Sequence, residues 1–404
     1  MTSEWNHFAL GEITELVIDY RGKTPKKLGG DWCKQGYRAL SAKNIKTGRI
    51  VQAETIRYID ESLYRKWMKD EVQRGDILIT SEAPFGQIFF WDSDEKIVLS
   101  QRLFCVRIKP EYDARFIYYY MTTPEFQSEL DGRATGTTVI GLRQPELMKC
   151  VIRCPEIQEQ KVIAAILSSI DAKIIANEKV NDNLQQQAAA IFRSWFVDYV
   201  PFGGTVPDEW KNVTLEDITT LVSRGITPKY ADDTGQIVIN QKCIRNHMIE
   251  LSFARSHRPK VINNKWLQFG DLLINSTGDG TLGRAAQVWF QPHNLTVDSH
   301  VTIVRPAAEN MIFYIGLWGT QHEKEIESLH TGSTGQTELP RDRVKAIELL
   351  LPDKETLERF NALIAPMAAA IVSNQEENNR LASIRDALLP KLMSGKIDVS
   401  AIQL

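Results

Sequence analysis

The stretch Ile157–Tyr199, IQEQKVIAAILSSIDAKIIANEKVNDNLQQQAAAIFRSWFVDY, holds no proline or glycine and is rich in Ala, Gln, Ile, Leu, Lys and Glu. That composition predicts one long helix. Its apolar positions Ile163, Leu167, Ile170, Ile174, Leu184, Ala188, Ile191 and Trp195 lie on a seam whose steps alternate four and three residues, the period of a coiled coil. Asn177 and Asn181 interrupt that seam. A second copy follows 197 positions later (163 to 360, 195 to 392): Phe360, Ile364, Met367, Ile371, Asn374, Asn378, Leu381, Leu388 and Leu392. The shared Asn interruption marks a duplication, since apolar spacing alone could recur by chance. Arg385 stands where the first copy has Ala188, and Pro366 is expected to kink or break the second helix.

The duplication extends beyond the helices. Arg21-Gly22-Lys23-Thr24-Pro25 is echoed by Arg224-Gly225-Ile226-Thr227-Pro228, Lys43-Asn44-Ile45 by Lys242-Cys243-Ile244, and Gly75-Asp76-Ile77-Leu78-Ile79 by Gly270-Asp271-Leu272-Leu273-Ile274. Thr135-Gly136-Thr137 is echoed by Thr331-Gly332-Ser333, and Trp5 and Trp210 open the two copies. The expected organisation is a domain over 1–156, a helix over 157–199, a linker over 200–209, a second domain over 210–352, a second helix over 353–394 and a tail over 395–404.

Short apolar runs bounded by turn residues predict strands at Asp76–Thr80, Ile88–Trp91, Ile97–Ile108, Ile237–Asn240, Asp271–Asn275 and Val301–Arg305. Arg115–Leu130 and Asn310–Leu329 read as helices within the domains. The fold class is α+β: two similar α/β domains separated by an antiparallel two-helix coiled coil, with an internal pseudo-two-fold repeat. The antiparallel sense follows from length. Forty helical residues span about 60 Å, farther than the termini of a compact domain with a radius of gyration near 15 Å would lie apart. Antiparallel pairing would set Asn177 and Asn181 beside Asn374 and Asn378, where buried Asn fixes register at a cost in stability.

Composition narrows the function. Forty-three per cent hydrophobic and 25% charged residues is ordinary for a globular protein. No apolar run approaches the ~20 residues of a membrane span, and MTSEWNHFAL lacks the marks of a signal peptide. Five scattered cysteines complete no zinc set, and they read as reduced thiols of a cytoplasmic protein. Gly22-Lys23-Thr24 lacks the upstream glycine of a phosphate-binding loop. Asp298-Ser299-His300 is local, unlike a catalytic triad. Catalytic residues and metal ligands are therefore expected to be none.

Net charge is −3, yet Tyr20–Arg49 carries nine Lys or Arg residues against one acid. Local basicity and duplication suit a bipartite duplex DNA target. Lys and Arg meet phosphates, and Arg, Asn, Gln, Ser and Thr read base edges. The candidates in the first copy are Arg21, Lys23, Lys26, Lys27, Lys43, Asn44, Lys46, Arg133, Thr135, Thr137, Arg143 and Gln144. Those in the second are Arg224, Lys229, Gln241, Lys242, Arg245, Asn246, Thr331, Ser333, Gln336 and Arg341.

With its order of motifs written twice, the chain resembles the DNA-specificity (S) subunit of type I restriction–modification enzymes. Pro155-Glu156-Ile157-Gln158-Glu159-Gln160 and Leu388-Leu389-Pro390-Lys391-Leu392-Met393-Ser394-Gly395 add to the likeness. The resemblance implies a non-catalytic subunit that reads two half-sites, one per target-recognition domain, with the helices as spacer. It implies two modification (methyltransferase) subunits as partners, restriction (translocase-nuclease) subunits in the nuclease, and no membrane association. Cofactors would be none in this subunit; the partners would use S-adenosylmethionine, ATP and Mg. Ile175, Phe192, Phe196, Ala369 and Leu389, beside the seam, either dock modification subunits or widen the helix core. The rival readings are a recognition module of another methyltransferase–nuclease class and a coiled-coil scaffold that binds only proteins.

Overall fold

The computed structural model describes residues 5–136, 140–232, 234–332, 337–399 and 402. Its contacts divide the chain into two units, residues 1–174 with 379–404, and residues 175–378. Each unit therefore owns part of both long helices.

In the first unit a four-stranded antiparallel sheet runs in the order Thr14–Asp19, Leu103–Ile108, Ile77–Thr80, Ile88–Phe90. A three-stranded sheet is ordered Arg57–Ile59, Tyr37–Leu40, Val98–Leu99, with the last pair parallel. A small hairpin joins Ile45–Lys46 to Arg49–Ile50, and Asn6–Ala9 pairs with Val151–Cys154 where the domain opens and closes. The second unit repeats the plan. Its main sheet is Thr219–Arg224, Val301–Pro306, Leu272–Asn275, Ala285–Gln287. Its second sheet is Arg255–Ser256, Ile237–Ile239, Leu295–Val297; its hairpin is Ile244–Arg245 with Met248–Ile249; its closing pair is Lys211–Thr214 with Glu348–Leu351.

The continuous apolar runs arise because the central strands are covered on both faces. Ile77, Ile79, Phe104 and Val106 pack against the helical layer with Phe116 and Ile117. The alternate residues Leu78, Leu103 and Cys105 pack against Leu40, Val98 and Leu99 of the second sheet. In the second unit Leu272, Ile274 and Val304 meet Phe313 and Leu317, while Leu273, Val301 and Ile303 meet Ile239 and Val297. Strands with only two to four residues or mixed polarity, such as Lys211–Thr214, carry little sequence signal.

The Gly-Asp pairs are turns into these strands. Gly75 and Gly270 have φ of +96° and +89°, which glycine adopts readily. Asp76 Oδ2 accepts from Gln73 N at 2.8 Å, and Asp271 Oδ2 from Gln268 N at 2.8 Å. Each carboxylate then receives two bonds from an arginine on the neighbouring strand: Arg107 to Asp76, both at 2.9 Å, and Arg305 to Asp271 at 2.7 and 2.8 Å. Asp76 is 1% exposed and Asp271 0%. Burial pushes the Asp271 carboxyl above its ordinary range, while the Arg305 bonds pull it back.

The two expected internal helices are each divided. Ala114–Met121 is followed by Pro124–Arg133, because the Thr123 hydroxyl caps Phe126 N and Pro124 fits the first turn. Ile312–Gln321 gives way at His322 to Glu323–Ser328.

The long helices run Ile157–Phe196 and Lys354–Met393. In the second unit they are antiparallel: Asn177 Nδ2 donates to Asn378 Oδ1 at 2.8 Å, and Asn374 Nδ2 donates to Asn181 Oδ1 at 2.8 Å. Asn181 Nδ2 also reaches Ile371 O at 3.3 Å, and Asn177 and Asn181 are buried. In the first unit Arg385 explains its departure from the seam. It donates to Asp171 Oδ1 at 2.9 Å, and Tyr119 Oη donates to Asp171 Oδ2 at 2.6 Å. Ile163, Leu167, Ile174, Phe360, Ile364 and Ile371 are buried; Ile170, Leu184, Ile191, Met367, Leu381 and Leu388 are half-buried.

Two expectations are corrected here. Pro366 does not break its helix: it sits on an exposed face, as does Ala362, whose carbonyl loses its partner and can be hydrated. Near Phe196 the buried face shifts by one residue from Ile191 and Trp195, which are half-buried, to Phe192 and Phe196. Of the two readings open for Phe196, burial favours core, its ring 4.7 Å from Phe360, 4.9 Å from Tyr314 and 5.7 Å from Trp210.

Asp353 caps the second long helix. It accepts from Thr356 N at 2.9 Å, Thr356 Oγ1 at 2.6 Å and Trp210 Nε1 at 3.1 Å. Burial raises its carboxyl, but those bonds outweigh burial and hold it below the ordinary range. Asp353→Ala should cost about 1 kcal/mol in chemical denaturation. A depressed carboxyl adds stability above its unfolded pKa and loses it as pH falls through the folded value, so the parent–variant gap should close in acid.

Candidate functional site

One end of each four-stranded sheet gathers most of the duplicated motifs. In the first unit this end carries Asp19–Arg21, Thr80–Glu82, Gln87 and Arg102. Four connections converge on it. Leu142 N donates to Ser81 O at 3.0 Å, anchoring the loop in which Thr135 and Gly141 exchange two backbone bonds. Ala42 N donates to Gln101 O at 3.1 Å. Thr47 N donates to Gln87 Oε1 at 3.0 Å, and Gly48 N to Ile88 O at 3.0 Å, so the Lys46–Arg49 hairpin tip lies against it too. In the second unit Leu339 N donates to Ser276 O at 2.8 Å, and Thr331 and Glu338 exchange the equivalent backbone pair.

The arginines of the duplicated Arg-Gly motifs hold this arrangement together. Arg21 donates to Leu142 O at 3.2 Å, is forked onto Asp19 at 2.8 Å and lies over Phe104 at 4.1 Å. Arg224 donates to Leu339 O at 2.8 Å and pairs with Glu338. Both guanidiniums are occupied as tethers of the Thr-Gly loops.

Other candidates are likewise committed inside the fold. Asn44 is 1% exposed, and its side chain bonds Ser41, Val51 O, Gln52 O and Thr55. It stabilises a turn and is withdrawn from the set that could meet DNA. Lys23 Nζ donates to Trp67 O at 2.7 Å and lies over the Tyr20 ring at 3.7 Å; burial lowers its pKa. Lys27 Nζ donates to Gly22 O at 2.8 Å. Arg133 pairs with Glu129 and Glu146, and Arg341 with Asp342.

Lys26, Lys43, Lys46, Arg143, Lys229 and Lys242 are exposed and show no side-chain ion pair among the described residues. Thr135 and Thr331 are exposed at the loop stems, and Gln144 begins the short helix Gln144–Met148. Arg245, over the Phe253 ring at 4.4 Å, and Asn246 line a groove of about 430 Å³ with Gln185, His247, Arg284 and Glu323. Gln241 Oε1 accepts from Thr277 Oγ1 at 3.4 Å. Thr137, Ser333 and Gln336 lie outside the described residues.

His300, read from sequence as a residue that packs or touches a ligand at a strand start, lies at this same end; sequence reading missed Glu82, Gln87, Arg102 and Thr277 there. Their only signal was position: each flanks a strand boundary beside a Thr-Gly loop anchor.

Among the described residues no helix is long and apolar enough to cross a membrane. All five cysteines are unbridged, and Cys105, Cys150, Cys154 and Cys243 are buried.

A family model described as the type I restriction modification DNA specificity domain matches residues 2–186. The chain is 25% identical over 354 residues to the type I restriction enzyme MjaIX specificity subunit of Methanocaldococcus jannaschii, covering 81% of this chain and 79% of the relative. It is 22% identical over 413 residues to the HindI specificity subunit of Haemophilus influenzae, covering 81% and 88%. The EcoKI specificity subunit of Escherichia coli is 20% identical over 427 residues, covering 97% and 89%. A crystal structure of a type I restriction–modification system S subunit from M. genitalium has the same fold, with a TM-score of 0.60, 15% identity and 96% of each chain covered.

Proposed function

We propose, for a chain that belongs to the specificity subunits of type I restriction–modification enzymes, that it reads a bipartite duplex DNA sequence, one half-site per unit. The observation that carries this reading is the repetition of one sheet-end framework with different side chains on it: Lys46, Thr47 and Arg143 in the first unit stand where the second has Arg245, Asn246 and Pro340. A common frame sets where DNA lies, and the differing polar groups give each half-site its sequence.

On this proposal the chain itself catalyses nothing. It binds two modification subunits, which methylate adenine at N6 with S-adenosylmethionine. Restriction subunits use ATP and Mg to translocate and cleave DNA. The tethered arginines Arg21 and Arg224 keep the Thr-Gly loops in place, and the exposed lysines neutralise phosphates.

Exchanging residues 210–352 for the corresponding segment of another specificity subunit tests the reading. With a modification subunit present, one half of the methylated motif should change and the other should persist. Loss of salt-dependent DNA affinity altogether in the parent chain would favour a protein-only scaffold.

A further inference from the structure

Two positions are structurally equivalent in the repeated units yet differ in chemistry. Ser81 N donates to Arg102 O at 2.9 Å, and Ser276 N donates to His300 O at 2.8 Å. Each serine carbonyl accepts from the residue that closes its Thr-Gly loop, Leu142 or Leu339. Arg102 and His300 are thus the same position, immediately before the strands Leu103–Ile108 and Val301–Pro306. Glu82 and Thr277, immediately after the two serines, are the same position as well.

The serine bonds are kept while the side chains are exchanged as pairs and the local backbone differs, Arg102 taking a positive φ that His300 does not. In the first unit Arg102 Nε lies 3.6 Å from Glu82 Oε1, with the side chains 47% and 34% exposed. In the second, the Thr277 hydroxyl lies 2.7 Å from His300 Nδ1, and His300 is exposed. Each pair places a polar, ligand-capable group at the sheet end and restrains it with a neighbour. Arg102 also has φ of +64°, a conformation rare for residues with a side chain and one that tends to be held at functional sites.

Resting on the proposed DNA reading, we infer that Arg102 and His300 are base-reading positions of the first and second half-sites, with Glu82 and Thr277 as their positioning residues. Arg102 is matched to guanine, whose N7 and O6 accept a fork of two guanidinium bonds. The loose Arg102–Glu82 pair leaves the guanidinium available at small cost. His300 donates or accepts through Nε2, and its Nδ1 contact with Thr277 sets which.

The test maps methylated adenines for the parent, Arg102→Ala and His300→Ala, each co-expressed with a modification subunit in a methylation-free host. Competition binding with base-substituted duplexes runs alongside. Arg102→Ala should reduce preference for one guanine by about 10- to 100-fold in one half-site only, and His300→Ala should relax one position in the other half. The competition assay reads the same ratio where methylation becomes too weak to map. A parent motif unchanged by both substitutions overturns the inference. So does a uniform fall at all sites without altered base preference, which marks a phosphate contact. A parent that yields no bipartite motif overturns the half-site reading itself.

Discussion

Arg305→Met will destabilise the second unit by about 3–5 kcal/mol, because it strands a carboxylate that has no exposure to water. Asp271 receives two bonds from Arg305, which also donates to Trp266 O at 2.7 Å and Asn264 O at 3.0 Å. Removing the guanidinium leaves Asp271 with the Gln268 amide bond and an unpaid desolvation cost. Hydrogen exchange should show the loss in Leu272–Asn275 and Val301–Pro306 while Leu103–Ile108 stays protected. Arg305→Met with Asp271→Asn should recover more than half of it, since the amide still accepts from Gln268 without a buried charge. A single-variant cost below about 1 kcal/mol would show that the pair does not hold the strands together. The matching Arg107→Met should give the same result in the first unit.

Reversing charge at Lys26, Lys43 and Lys46 together will weaken DNA binding by at least about 100-fold at low salt and flatten its salt dependence. The three side chains are exposed and make no ion pair among the described residues. Each lost phosphate contact should lower the slope of log affinity against log salt by about one. The folded state should be unaffected, since these residues support no core contact. The measurement is binding of a duplex bearing the methylated motif at several salt concentrations. An unchanged slope would remove this surface from the DNA contact set.

Much of the fold was legible because its signals are periodic or duplicated. The step-four, step-three seam gave the helices, and its Asn interruptions gave their register, seen as Asn177–Asn378 and Asn374–Asn181. The Gly-Asp turns were legible as strand entries, but not their arginine partners. Arg107 and Arg305 lie 31 and 34 residues away in the chain. Distance in sequence also hid the tethers: Arg21 and Arg224 meet carbonyls 121 and 115 residues on. Basic composition marks both roles alike. Asn44 was misleading for a related reason, since an Asn that closes a turn looks like one that reads a base until its partners are known. The shift of the buried face to Phe192 and Phe196 escaped the heptad because the globular layer, with Tyr314 and Trp210, competes with the partner helix for that face.

The most direct test of the central claim is to express the native chain with a cognate modification subunit in a methylation-free host and map modified adenines by long-read sequencing. One motif of two specific halves with a fixed gap is the predicted result. A single contiguous motif, or no methylation from a stable complex whose modification subunit is active with another specificity subunit, would contradict it.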